Sequence, residues 1–166
     1  MFSANTGRPV LAAKLAIILA VTLFPANQLP AAQPGSTKQH PDLAKTYDKY
    51  GVSAAVRAGD FVYLGGITAL DNDGNALGPY DGDKQYEVVY ERIAELLDMY
   101  GADAKNVISE TIYITGWNHA IAGSKHRDAF YKNDKAAWPN ATGIEVVSLA
   151  VPGLVVEVEV VAYLGD

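Results

Sequence analysis

Apolar residues recur at helical spacing between positions 83 and 100, and this stretch gives the clearest helix prediction in the chain. Gly101 follows where a left-handed residue commonly ends a helix. A second and weaker helix is predicted over residues 118–132, a stretch that contains Gly123. The apolar stripe of the first helix consists of Tyr86, Val89, Tyr90, Ile93, Leu96, Leu97 and Tyr100.

Segments rich in β-branched and aromatic residues predict strands before, between and after these helices. Gly59 stands between the first two and predicts a hairpin turn, because such turns need a residue with positive φ. In the last segment, valines alternate with Glu157 and Glu159, which is typical of a strand with two different faces. The predicted strands cover residues 52–57, 107–115, 142–148 and 154–163, with a further strand that begins at residues 61–64.

The predicted order of elements is therefore β-β-α-β-α-β-β, with a hairpin at each end. This order indicates an α+β fold in which one mixed sheet carries both helices on one face. The other face of such a sheet would expose a large apolar patch in a monomer. We therefore expect the chain to form an oligomer through that face, most simply a closed ring.

The first 32 residues have the pattern of a secretory signal peptide. Arg8 and Lys14 are their only charged residues, and residues 15–24 form an uncharged apolar run that leads to a segment ending at Ala32. That run is about half of the ~20 residues that span a bilayer. We expect cleavage and a periplasmic or secreted protein, and an uncleaved anchor is the alternative. Residues 33–50 are predicted to be a linker or arm, and residues 51–166 a single domain.

The charge balance is acidic. The chain has 13 lysines and arginines against 19 acidic residues, and loss of residues 1–32 would leave a formal charge of −8, since only Arg8 and Lys14 would be removed. Proteins that bind nucleic acid usually present a basic face, so we expect no nucleic-acid partner. No cysteine is present, and the three histidines lack metal-ligand spacing, so neither a metal nor another cofactor is expected.

From residue 52 to the end, the order and spacing of several segments resemble the Rid (YjgF/RidA) family. The resemblance begins with the hairpin segment of residues 52–66 and continues over residues 69–74, Gln85, residues 100–102, residues 107–115, Pro139, residues 144–146 and residues 156–160. It implies a chorismate-mutase-like homotrimer with three clefts between its subunits. It also implies hydrolysis of reactive enamines and imines, which releases ammonia and a 2-oxo acid.

The resemblance also implies which positions line the cleft. Family archetypes hold the substrate carboxylate with an arginine shortly after the conserved proline, and Ala141 stands there in this chain, followed by Thr142. Glu157 matches the archetypal glutamate. The remaining correspondences are Val52 for a tyrosine, Gly65 for a serine and Ser124 for an asparagine. The chain therefore resembles the arginine-lacking branches of the family, and the archetypal deaminase activity is not expected to carry over.

Two functions stay open at this level. The chain is either an enzyme that acts on a small imine-like metabolite or a non-catalytic trimer that binds a small ligand or a protein partner. Glu157 either activates a water molecule as a general base or belongs to the polar face of its strand. Arg127 either supplies the missing positive charge or lies on a solvated helix face. A cation near Glu157 would favour the enzyme, and a pocket filled by apolar side chains would favour the binder.

Overall fold

The computed structural model describes residues 36–39, 47 and 50–165, with the backbone alone for 36–39. The signal peptide predicted over residues 1–32 lies outside the described residues, as does most of the linker predicted over residues 33–50. Within the described residues, no helix is long and apolar enough to cross a membrane.

A mixed sheet with two helices on one face forms the fold, so the predicted fold class is confirmed. The sheet order is β1-β2-β3-β6-β4-β5, in which only β4 and β5 run parallel. Two 3₁₀ turns, Ala104–Asn106 and Lys135–Ala137, follow the helices. The elements are β1 Ser36–Gln39, β2 Ala55–Ala58, β3 Phe61–Thr68, α1 Gly82–Asp98, β4 Val107–Ile114, α2 Trp117–Phe130, β5 Asn140–Glu145 and β6 Val156–Tyr163.

The hairpin predicted at the C-terminal end is wrong. β6 does not pair with β5 but inserts between β3 and β4, and β5 lies at the sheet edge, parallel to β4. The connection between them, residues 146–155, is longer than the roughly two to five residues of a hairpin loop. β4, α2 and β5 instead form a β-α-β unit, in which the helix carries the chain back so that the strands run parallel.

The predicted element order also lacks the first strand. Ser36–Gln39, within the predicted linker, pairs antiparallel with β2 and so precedes the seven predicted elements. Its polar sequence gave no strand pattern. The edge of β2 explains the pairing, because its unpaired N–H and C=O groups offer hydrogen bonds to any extended segment regardless of side chains.

The core lies between α1 and the centre of the sheet. Asp81 caps α1, because its carboxylate accepts a hydrogen bond from the Lys84 amide at 3.1 Å. The predicted apolar stripe then faces β3 and β6, which contribute alternate residues of each strand to the same layer. The buried side chains of this layer include Val89, Ile93 and Leu97 of α1, Leu64 and Ile67 of β3, and Val158 and Val160 of β6.

Gly123 explains why α2 has so weak a sequence pattern. α2 packs on α1 at this glycine, where an added Cβ would lie 2.3 Å from Cγ of Tyr86. The close approach therefore depends on the missing side chain. Because the buried residue of this helix is a glycine, α2 has no strong apolar stripe and periodicity alone predicts it poorly.

A buried glutamine fixes the connection between β5 and β6. The Gln85 amide group donates hydrogen bonds to the carbonyl oxygens of Gly78 and Gly153, at 2.9 and 2.7 Å. Its side-chain oxygen accepts a hydrogen bond from the Val155 amide at 2.8 Å. These bonds hold the connection against the start of α1, and this placement matters because Val151 and Leu154 line the candidate site.

Candidate functional site

A β-bulge interrupts the pairing of β3 with β6. Leu64 pairs with Val160 and Ile67 pairs with Val158, so two residues, Gly65 and Gly66, stand opposite the single residue between them on β6. Bulges of this kind bend a strand and often lie beside functional sites. Here the bulge forms the floor of a cavity on the sheet.

The cavity, which we call the Glu157 cavity, has a volume of about 310 Å³. Its walls come from the end of β3, the start of β6, the connection before β6 and the segment before β2. Its apolar residues are Val52, Leu70, Ala150, Val151 and Leu154, and its other residues are Tyr47, Tyr50, Ser53, Gly65, Gly66, Thr68 and Glu157. No lysine, arginine or histidine is among these described lining residues.

Glu157 supplies the carboxylate of this cavity. It is half-buried on β6 opposite Thr68. Burial raises the pKa of its carboxyl group, and the negative charge of Glu159 raises that pKa further. Within the described part of the chain, no group donates a hydrogen bond to this carboxylate. It therefore presents unpaired acceptor atoms to the cavity.

Gly66 allows the carboxylate to occupy this position. A Cβ added at Gly66 would lie 1.9 Å from Oε1 of Glu157, so the carboxylate fills the space that any other residue would need. The glycine is required by this close approach and not by its φ angle. The backbone of the bulge on β3 thus determines where the Glu157 side chain of β6 can lie.

Tyr47 is a cavity residue that the sequence did not predict. Its hydroxyl donates a hydrogen bond to the carbonyl oxygen of Gly66 at 3.2 Å. Its own carbonyl oxygen accepts a bond from the Val52 amide at 3.3 Å. Burial raises the pKa of its phenol. Tyr47 falls in the polar segment predicted as a linker, and no periodic pattern there distinguishes it from its neighbours.

Arg92 supports the wall of the cavity from α1 and was also missed. Its guanidinium group donates hydrogen bonds to the carbonyl oxygens of Thr68 and Leu70, each at 2.5 Å. It thereby fixes the backbone that follows β3. In a sequence, an arginine outside the apolar stripe of a helix is normally interpreted as exposed to solvent. Only the tertiary structure therefore shows this role.

The structure brings three of the predicted site residues together. Val52, Gly65 and Glu157 line the same cavity. Ala141 and Thr142 lie elsewhere in the chain, on the exposed edge strand β5, which β4 separates from β6. Their register partners are Glu110 and Thr111, so the two residues point to opposite faces of the sheet.

The two predicted site residues of α2 also lie outside the Glu157 cavity. The Ser124 hydroxyl donates to the Ile121 carbonyl of its own helix at 3.1 Å. Arg127 forms an ion pair with Glu110, which is only 2% exposed. Within one chain, Arg127 is therefore already bound to an internal carboxylate, and its role toward a ligand stays a prediction.

Glu110 accepts hydrogen bonds from three side chains on the helical face of the sheet. In addition to Arg127, it accepts hydrogen bonds from the hydroxyls of Tyr90 at 3.2 Å and Tyr131 at 2.9 Å. A buried carboxylate needs such partners, because its desolvation is costly. The network joins α1, β4 and the end of α2.

A second cavity, of about 350 Å³, lies where the C-terminal ends of both helices meet the 3₁₀ turns. It contains none of the predicted site residues. In the part of the chain that the structure describes, no group of three histidine, aspartate or glutamate side chains could hold a metal ion.

Comparisons with known proteins agree with this fold. The profile of the Endoribonuclease L-PSP family matches residues 38–164. A member of the YjgF/YER057c/UK114 family from Mycobacterium tuberculosis superposes with a TM-score of 0.64 at 26% identity, over 78% of this chain and 99% of that one. The Rid-family protein YyfA from Yersinia pestis gives a TM-score of 0.60 at 26% identity, over 68% and 86% of the two chains.

A RutC family protein from Pyrococcus abyssi is 24% identical over 111 residues, which cover 67% of this chain and 84% of that protein. The chain belongs to the Endoribonuclease L-PSP (YjgF/RidA) family. The family predicted from the order of segments is thus confirmed. Membership of an arginine-lacking branch stays a prediction.

Proposed function

We propose that this L-PSP family chain forms a homotrimer that binds a small metabolite in the Glu157 cavity, with each cavity in a cleft between subunits. The Glu157 cavity itself carries the proposal. It is concave, largely apolar and contains a single half-buried carboxylate without a hydrogen-bond donor in the described chain. Small-molecule sites commonly combine apolar walls with a few placed polar groups.

The uncovered face of the sheet supports the trimer. Phe61, Tyr63 and Tyr163 project from it and are 38%, 46% and 37% exposed. Their rings form a contiguous patch, since the ring centre of Phe61 lies 6.3 Å from that of Tyr63 and 5.2 Å from that of Tyr163. Exposed clusters of large aromatic side chains are typical of surfaces that bind another protein.

Light scattering of the purified protein is expected to give about three times the subunit mass. Tyr63→Asp should shift the protein toward monomer, because it would bury a charge in the proposed interface. Ile121→Asp is the matched control: Ile121 is 75% exposed on α2, and its replacement should leave the mass unchanged. A monomeric wild-type protein at micromolar concentration would disprove the trimer.

Within this function, Glu157 is the proposed general base, which would activate a water molecule for attack on a C=N carbon. A carboxylate with a raised pKa is a stronger base than an ordinary glutamate, and burial produces that shift here. Binding without catalysis is the second candidate. It is favoured by the apolar walls and by the absence of a cation among the described lining residues.

Cleavage of RNA is not part of the proposal, despite the name of the family profile. The chain carries a formal net charge of −6. Glu157 is one of its acidic residues, and no described basic side chain lines the Glu157 cavity. An RNA backbone would be repelled by such a surface, because binding of phosphates depends on lysine and arginine.

Export to the periplasm or beyond is proposed from residues 1–32 alone. Expression of the full chain in a Gram-negative host should give a shortened protein in the periplasmic fraction, since the leader would be cleaved during translocation. Mass spectrometry of that fraction would locate the cleavage site. Recovery of only the full-length chain from the cytosol would contradict export.

A further inference from the structure

The geometry of the Glu157 cavity points to a small organic cation as its ligand. We infer that this ligand is a protonated amine without a carboxylate group. The inference rests on the proposed small-molecule site and specifies the chemical class that the site selects.

Hydrogen-bonding capacity gives the first reason. An ionised carboxylate can only accept hydrogen bonds, and that of Glu157 receives none from the described chain. The Tyr47 hydroxyl already donates to the Gly66 carbonyl, so it cannot donate to a ligand at the same time. A ligand that reaches the Glu157 carboxylate must therefore bring the donor itself, as an ammonium N–H does.

Charge gives the second reason. The described lining residues include Glu157 but no basic side chain. Arg92 is a described cation nearby, and its guanidinium group donates hydrogen bonds to the carbonyl oxygens of Thr68 and Leu70. Glu159 lies two residues further along β6, on the same face, and adds a second negative charge. Within one chain, these two carboxylates outnumber the one guanidinium group, so the described charges oppose an anionic ligand and favour a cationic one.

The cavity walls give the third reason. Tyr47 and Tyr50 bring two phenol rings to the cavity, and aromatic faces attract cations. The apolar side chains beside them, Val52, Val151 and Leu154, suit a short alkyl chain. Because the carboxylate rests on Gly66, it stays within the cavity instead of extending into solvent.

The experiment compares three probes of the same length: butylammonium, butyrate and butan-1-ol. Each is titrated into the purified oligomer near pH 7.5, where butylammonium is charged, and its affinity is measured by ligand-observed NMR. Butylammonium is expected to bind and butyrate is not. Glu157→Gln should weaken butylammonium binding about tenfold, since it removes a charge-assisted hydrogen bond while keeping the side-chain shape.

Two variants complete the design. Glu95→Gln makes the same chemical change on the exposed surface of α1 and should bind butylammonium as the wild type does. Gly66→Ala should also weaken binding, because the new Cβ would displace the Glu157 carboxylate. It should still fold, since the atom that must move is the end of a flexible side chain.

The outcomes separate this inference from the proposed function. Butyrate binding as tight as that of butylammonium, or unchanged butylammonium affinity in Glu157→Gln, would overturn the cationic ligand. If butan-1-ol then bound equally well, the cavity would still be a small-molecule site and the proposed function would stand. Absence of binding by all three probes would count against both.

Discussion

Glu110→Ala is expected to lower the free energy of unfolding by about 3–5 kcal/mol. The substitution removes the acceptor of Arg127, Tyr90 and Tyr131 and leaves two hydroxyl groups and part of a guanidinium group unpaired beneath the sheet. It also empties a space that is closed to solvent, because Glu110 is only 2% exposed. Both effects are among the few that give large losses in single variants.

Urea denaturation followed by circular dichroism would measure this loss, at one fixed protein concentration because assembly contributes to the stability of an oligomer. Glu87→Ala is the matched control: Glu87 lies on α1, away from the proposed interface, and forms an exposed ion pair with Lys84. This control variant should lose less than about 1 kcal/mol of unfolding free energy. Similar losses in the two variants would contradict a special role for Glu110.

The pairing of Glu110 with Arg127 can be tested separately. Arg127→Ala should also destabilise the protein, because it leaves a buried carboxylate without its cation. The double variant should lose less than the sum of the two single losses, since each single variant already breaks the same ion pair. Additive losses would show that the two side chains act independently.

Hydrolysis of 2-iminobutyrate or 2-iminopropionate is expected to stay near the uncatalysed rate. Both compounds carry a carboxylate, and Ala141 offers it no hydrogen bond or charge. Charge-assisted hydrogen bonds of this kind contribute roughly 1.5–3 kcal/mol each. Their loss in the transition state costs about one to two powers of ten in rate. The missing hydroxyls at Val52 and Gly65 should increase the deficit.

The assay generates the imine in situ and follows its decay with and without the protein, with an arginine-containing relative as positive control. Ala141→Arg need not restore activity, because Val52 and Gly65 would still lack the hydroxyl groups. Activity within a few-fold of the relative would contradict the expectation. It would show that another cation, with Arg127 the first to be tested, anchors the substrate carboxylate.

Several elements were predictable because their physical cause is local. The stripe from Tyr86 to Leu97 must face a core wherever the helix lies, and Gly59 permits the turn between β2 and β3 in any sheet. The alternation around Glu157 likewise places it on the face opposite Val156 and Val158. Such patterns show only which side of a helix or strand is apolar. This information is enough to predict the fold class.

Other features were decided only by tertiary structure. The sequence does not state that β6 lies between β3 and β4, because strand order depends on the long connection fixed by Gln85 and on the crossover through α2. Tyr47 and Arg92 donate hydrogen bonds to backbone carbonyl oxygens at the cavity. The pattern of apolar and polar residues in the sequence does not indicate such bonds.

The chain by itself therefore determined the helices, most of the strands and the two-faced sheet, and the family resemblance drew attention to Glu157. The tertiary structure decided where that glutamate is held. The bulge at Gly65 and Gly66 brings the carboxylate onto a glycine of another strand, 91 positions earlier in the chain. Contacts between segments so distant in sequence arise from packing of the whole domain, and no local propensity encodes them.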